Sequence, residues 1–425
     1  IDLQGIEKSQ RGAEINMRNL ILIHLESLNE MNYRLNRHIF PRLTGWEKRS
    51  LCFRNYFSTA TSTWMVIADM MYGGMLQYEG NGSLGDVPQK YHYGESLLDS
   101  LKGRGYVTRT LVYENGGGDF EKGNERHLVG FQNKMELVRG YQYYMGEIAR
   151  TVHKGGPFAL LLCNFFSNVA FNRSLPCFKS KSGLDRVEAG YGFIDTWAGQ
   201  IMELLEREGV LENTTVIFYG DHGDDYYEHG RHSGLTHAVE PYANLIRTPL
   251  WIYDGRISGQ ETYDGLVNTT DIRAVAESLL RMPEGCGKWR SAMPGRKYSL
   301  ARNSYAGQPV RSGSFNKGYS LTDGRFLFLV SNHGMEMYDI RIDMQCQNNL
   351  LDFFVLRDGI LYRDEESPRL AYHFTGLMDM GSLRQIRQNF YYFRKRTYLE
   401  AGELFCHAGC GEDMGQLNFG EIHYL

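Results

Sequence analysis

Residues 18–27, RNLILIHLES, constrain this chain more than any other stretch, because a compact apolar run there closes abruptly on polar and acidic residues. That is the pattern of a strand buried on both faces of a parallel sheet, with its C-terminal end opening into a crevice. The strand is expected to end near Glu26. Similar runs follow at 157–164 (PFALLLCN) and 214–219 (TTVIFY). Between them lie helical patterns. Residues 94–105 (GESLLDSLKGRG) have apolar positions at helical spacing and a Gly stop before the β-rich stretch 106–113, and 190–208 reads as a long amphipathic helix. The alternation predicts an α/β fold, a mostly parallel sheet flanked by helices, with ligands at the carboxyl ends of the strands.

Beyond about residue 290 the pattern changes. Short strand-like pieces at 310–315, 318–322, 325–331 and 335–340, with a hairpin turn at Asp323-Gly324, predict a smaller C-terminal α+β subdomain with an antiparallel sheet. A helix is expected over 382–399, where the charges of RQIRQNFYYFRKR form a solvated face and the aromatics turn inward. The expected division is a catalytic domain over 1–290 and this subdomain over 291–425. Neither internal repeats nor a low-complexity linker is evident.

Composition narrows the function. Hydrophobic residues at 42% and charged residues at 23% describe a chain that folds around a core. A net charge of -4 supplies no positive field for a phosphate backbone, so nucleic acid is not an expected partner. The longest apolar runs fall far short of the roughly 20 residues that span a bilayer, so no transmembrane segment is expected. The chain starts at Ile1 without a basic-then-apolar leader, which leaves open a signal peptide or anchor removed ahead of it. Seven cysteines without CxxC spacing argue against a disulfide framework or a zinc ribbon, with Cys406 and Cys410 the one candidate pair.

Three segments carry residues suited to chemistry. In YGDHGDD (219–225), directly after the strand TTVIFY, Asp221 and His222 place a carboxylate and an imidazole on the crevice, both ordinary ligands of a divalent cation. The plainer reading is a turn in which Asp221 caps amides and Gly223 supplies an unusual dihedral. Glu26 is costly to bury after ILIHL unless it is paired or binds a metal, the alternative being a solvated helix cap. The hydroxyl-rich STATST (58–63) precedes WMVIADMMYGG, read as a helix, and a hydroxyl there sits near free amides and the positive dipole end. It could equally be a simple N-cap.

Together these segments resemble the alkaline phosphatase and sulfatase superfamily: Glu after a first strand, Thr opening a helix, and DHG after a late strand. GESLLDSLKGRGYVTRTLVY, the long helix running into GDHGD, THAVEPYANLIRTPLWIY and MEMYDIRIDMQCQNNLLD are similar to that superfamily's segments in the same order. The Cys or Ser of the formylglycine sulfatases, in C/S-x-P-S-R, is absent. The Thr-rich turn looks like the branch of lipoteichoic acid synthases and phosphoethanolamine transferases, whose nucleophile is a metal-bound Thr. The resemblance implies Thr61 as nucleophile with Asp69 eight positions on, Thr59 and Thr63 remaining rivals two positions away. It implies one divalent ion (Mn, Zn or Mg), with a second open, held by Glu26, Thr61, Asp221 and His222. It implies substrate contacts from His232, His237, in the place of a sulfatase Lys, and Asn164.

Where the family carries a His after the PF strand, this chain has Val169; His153, Asn164 or Asn168 would have to substitute, or activity has diverged. His229 is one more loop histidine, and Arg247 is expected to order its strand. The implied activity is transfer of a phosphoglycerol- or phosphoethanolamine-type group, from a phospholipid head-group donor or other phosphodiester to a glycan or lipid acceptor, through a phosphothreonine. Hydrolysis of phosphodiesters or sulfate esters is the alternative, and a divergent glycan-binding protein, suited by 28 tyrosines, a third. The resemblance points to the cell envelope and the free cysteines to the cytoplasm.

Overall fold

The central strand β1 (Asn19–Leu25) is buried along its whole length, as its unbroken apolar run requires. The computed structural model describes residues 17–75, 94–114, 135–164, 183–226, 228–229, 235–237, 239–257, 259–282, 289–303, 317–364, 380–408 and 417–423. After β1 come β2 (Leu51–Phe57), β3 (Val107–Glu114), β4 (Met135–Arg139), β5 (Phe158–Asn164) and β6 (Thr214–Gly220). A two-residue ribbon, β7 (Asp225–Tyr226) and β8 (Leu235–Thr236), precedes β9 (Leu250–Asp254) and β10 (Glu261–Asn268). The main sheet has eight strands in the order β10-β2-β9-β6-β1-β5-β3-β4. All its pairings are parallel except those of β9, which runs antiparallel to both β2 and β6.

Helices cover both faces, which is why β1, β5 and β6 read as continuous apolar runs rather than alternating ones. On one face Leu20, Leu22 and Cys163 pack against Met65, Met70 and Val275 of the helices Thr63–Tyr72 and Asp271–Arg281. On the other, Ile21, Ile23 and Leu162 meet Tyr144, Trp197 and Ile201. The predicted helix at 190–208 spans Gly183–Arg207, and that at 94–105 spans Leu97–Gly103 with Ser96 accepting the Asp99 amide as its N-cap.

The antiparallel sheet runs β11 (Ser299–Arg302), β12 (Gly318–Thr322), β13 (Phe326–Ser331) and β14 (Gly334–Asp339) in sequential order, with Gly324 at φ 89° in the expected hairpin turn. A two-stranded ribbon, β15 (Phe354–Arg357) and β16 (Ile360–Arg363), follows it. The strand expected at 310–315 and the Cys406–Cys410 pair lie outside the described residues and side chains. The terminal helix is longer than predicted, Met380–Ala408, and only part of its aromatic set turns inward: Phe390 and Phe393 are buried, whereas Tyr392 is 53% exposed. Phe57 and Leu266 of the main sheet share an apolar cluster with Leu327, Leu329 and Tyr338, which seats the small sheet against the large one. Among the described residues no helix is long and apolar enough to cross a membrane.

Candidate active site

Strands β1 and β6 pair with His24 beside Tyr219 and Leu25 beside Gly220, so Glu26 and Asp221 leave neighbouring strand ends together. Both are fully buried. His24 adds an imidazole: its Nε2 lies 3.3 Å from Glu26 Oε2 and 3.0 Å from Asp221 Oδ2. His222 Nε2 lies 3.2 Å from Asp221 Oδ2. Ser27 links the acids, its amide donating to Asp221 Oδ1 (3.0 Å) and its hydroxyl to Glu26 Oε1 (3.1 Å). It does so in the left-handed region, at φ 56°, a conformation costly for a residue with a Cβ and tolerated where the surroundings enforce it.

The hydroxyl that reaches this cluster belongs to Thr63. Its Oγ1 stands 3.3 and 3.4 Å from the two carboxylate oxygens of Glu26 and 3.0 Å from His222 Nε2. Thr61, the expected nucleophile, instead donates to the Val239 carbonyl at 3.0 Å, and Thr59 donates to Asp69 Oδ2 at 2.7 Å. The hydroxyl that meets Glu26 and His222 thus lies two residues after Thr61. The physical reason is the docking of the turn on β11: Thr61 N donates to Arg302 O and Arg302 N to Thr59 O. Asp69 anchors that docking by accepting both guanidinium nitrogens of Arg302 at 3.0 Å, a buried bidentate ion pair. The plain N-cap reading does not describe Thr63 either: it is the first helical residue, and Ser62 occupies the cap without a side-chain bond.

The cluster is electrostatically charged in the literal sense. Burial pushes the Asp221 carboxyl up, but His222 and His24 beside it outweigh burial and hold it well below the usual carboxylate range. Burial pushes the His222 imidazole down, with Asp221 opposing. Burial first, and then Glu26 and Asp221, push the Cys163 thiol up; burial, then Cys163 and then Asp221 push the Tyr219 phenol up. Two buried carboxylates thus impose a negative field on their neighbours, the condition a cation relieves.

A second group sits beside the first. His237 stacks on His222 at 4.6 Å between ring centroids, and its Nδ1 lies 3.1 Å from Asp224 Oδ1. His222, Asp224 and His237 each offer a ligand atom within one small volume, as do His24, Glu26 and Asp221. His229 is held aside, bonded to Asp225 Oδ2 at 2.7 Å and stacked on Tyr242. His232, Asn168 and Val169 lie outside the described residues.

Asn164 ends β5 fully buried, with neither amide atom hydrogen-bonded among the described residues, and strand alternation puts it on the opposite sheet face from Cys163. His153 is exposed at the far end of β5, paired with Glu208, and does not stand in for the missing family His. Gly223 has no positive φ; a Cβ there would come within 2.1 Å of the Asn244 carbonyl, so close packing is what requires glycine. Arg247 donates to the carbonyls of Arg54 and Ile340, the ordering role expected of it. His24 and Asp224 were missed. An imidazole two positions before Glu26 inside an apolar strand, and a second acid in DHGDD, were the available signals.

Comparison with known proteins identifies the family and the fold. The sulfatase family model matches residues 18–157 and 184–279. Among solved structures, a 2-O GAG sulfatase superposes with a TM-score of 0.59 at 12% identity, covering 90% of this chain and 94% of that one. The lipoteichoic acid synthase LtaP of Listeria monocytogenes gives 0.51 at 14%, covering 74% and 84%. A protein of the alkaline phosphatase superfamily from Vibrio parahaemolyticus gives 0.53 at 14%, covering 78% and 85%. At such identities the likeness is one of fold. No curated protein matches the sequence significantly.

Proposed function

The chain belongs to the sulfatase family and is an enzyme of the alkaline phosphatase/sulfatase superfamily, and from that premise we propose that it is a metal-dependent phosphotransferase acting through Thr63. The observation that carries this reading is the Thr63 hydroxyl 3.0 to 3.4 Å from both Glu26 and His222. The donors fit a divalent cation. Ligands about 2.0–2.1 Å from one tetrahedral ion stand about 3.3 Å from each other. Thr63 and Glu26, Thr63 and His222, and His222 and Asp221 stand 3.0 to 3.4 Å apart.

Glu26, Asp221, His222 and Thr63 would hold that ion, which supplies Lewis acidity that makes the hydroxyl easier to ionise. Thr63 Oγ gives its proton to a Glu26 carboxylate oxygen and attacks phosphorus in line. The new Oγ1–P bond forms as the P–O bond to the leaving alcohol breaks, the departing oxygen taking a proton from solvent. An acceptor hydroxyl, or water, then loses its proton to solvent and attacks the phosphothreonine in line, the Oγ1–P bond breaking as Glu26 returns its proton to Thr63. His237, braced by Asp224, would donate to a nonbridging phosphoryl oxygen.

Threonine itself favours phosphorus over sulfate chemistry. Oxidising its secondary alcohol gives a ketone rather than the aldehyde that formylglycine enzymes hydrate. The donor proposed is a phospholipid head group or similar phosphodiester, with a glycan or lipid as acceptor. Residues 1–290 carry the chemistry on this reading, and Arg302 of the C-terminal part braces the nucleophile turn. Intact-mass and peptide analysis after incubation with phosphatidylglycerol, phosphatidylethanolamine or a bis-aryl phosphodiester tests it. The expected adduct is on the Thr63 peptide. Turnover of an aryl sulfate without that adduct would replace the proposal with sulfate-ester hydrolysis.

A further inference from the structure

We infer that His24 Nε2 is an additional donor of the metal centre, giving this site a second imidazole and a preference for zinc over manganese or magnesium. The inference rests on the metal-centre reading above and extends it to a residue outside the implied ligand set. His24 is fully buried in a central strand, where an imidazole is costly unless its nitrogens are engaged. Its Nε2 lies 3.0 Å from Asp221 Oδ2 and 3.3 Å from Glu26 Oε2, the same spacing that relates the other donors.

The ring is fixed in that position. It projects from β1, between β5 and β6, and stacks on Tyr219 with centroids 5.6 Å apart and planes at 30°. A side chain so held cannot swing clear of an ion bound by Glu26 and Asp221. It either ligates the ion or donates its N–H to the carboxylates that do. Two imidazoles beside two carboxylates and a hydroxyl form a set in which nitrogen donors favour zinc and cobalt, whereas manganese and magnesium favour oxygen. The observations favour ligation, because His222 Nε2 makes an equivalent 3.2 Å approach to the same Asp221 oxygen.

The test uses the full chain, stripped with chelator and titrated separately with zinc, manganese and cobalt, as wild type, His24→Val and His24→Gln. Calorimetry reads affinity, and the visible spectrum of the cobalt form reads the donor set without reference to activity. Both variants should lose zinc affinity by more than the roughly 10- to 100-fold that removal of an outer-shell partner costs, with a smaller change for manganese and a shifted cobalt spectrum. An unchanged cobalt spectrum in a folded variant would overturn the inference whatever the affinity, and so would a gain in affinity. Should neither variant fold, zinc-edge X-ray absorption on His237→Ala, which keeps His24 and His222, should count two imidazoles; one would overturn the inference. Failure of the wild type to bind any of the three ions would sink the metal-centre reading together with this one, whereas binding indifferent to His24 would sink this one alone.

Discussion

Two buried charged clusters flank the same hydroxyl-rich turn, and they are built on opposite principles. Around Asp69 the acid is met by the guanidinium of Arg302 in a bidentate pair and by the Thr59 hydroxyl. Around Asp221 and Glu26 two acids crowd together, met by imidazoles and hydroxyls. The first arrangement is a clamp, complete within the protein. The second concentrates negative charge at two neighbouring strand ends, an arrangement that a divalent cation would complete. Of the three threonines on the turn, Thr59 serves the clamp, Thr61 ties to the Val239 carbonyl, and Thr63 alone reaches the second cluster.

Substitution at the turn gives the sharpest way to break this division. Thr63→Ala should lower turnover by roughly 10⁴-fold or more, as removal of a nucleophile does. The melting temperature of the metal-free chain should barely move, and Thr61→Ala should leave turnover within about tenfold of wild type. Equal losses from both variants would erase the distinction. The clamp should show the reverse pattern. Arg302→Met leaves Asp69 buried without its guanidinium and should cost about 3–5 kcal/mol in urea unfolding, larger than any stability effect of Thr63→Ala.

Metal removal sharpens the comparison from the other side. With ion at about 100 times its dissociation constant, chelation should withdraw roughly 2.7 kcal/mol of stability. Arg302→Met should show the same increment, while Asp221→Asn should show little of it.

The smallest expected effect concerns the loop that follows the site. Burial, and then the hydrogen bond shared with Asp225, push the Glu228 carboxyl up to about 7. Its unfolded value is about 4.3, so the folded chain binds this proton more tightly. Stability from this group is full below the unfolded value and is lost as pH rises through about 7. Glu228→Gln should therefore flatten the decline in denaturation midpoint between these values, and an unaltered slope would remove Glu228 as its source.

The sequence made the fold legible wherever burial was two-sided. The runs ILIHL, FALLLCN and TTVIFY could satisfy their apolar content only as inner strands, and all three became adjacent strands of the large sheet. Edge and antiparallel strands were harder to see. Residues 261–268, ETYDGLVN, have little apolar periodicity, and β9 joins the sheet against its prevailing direction, a choice set by tertiary pairing.

The buried acids and imidazole were legible, but which threonine meets them was not. Glu26, Asp221 and His222 follow apolar strands and could be placed by local pattern. Thr59, Thr61 and Thr63 are chemically alike and evenly spaced, and what separates them is supplied by Arg302 and Val239, far along the chain. His24 was hidden for the opposite reason: a single imidazole within five apolar letters reads as part of the strand.

Anomalous diffraction from crystals soaked in zinc or manganese tests the central claim most directly. The account predicts one strong peak about 2.0–2.2 Å from Thr63 Oγ1, Glu26, Asp221 and His222. A peak bound by Thr61, or density confined to sites away from Glu26 and Asp221, would contradict it.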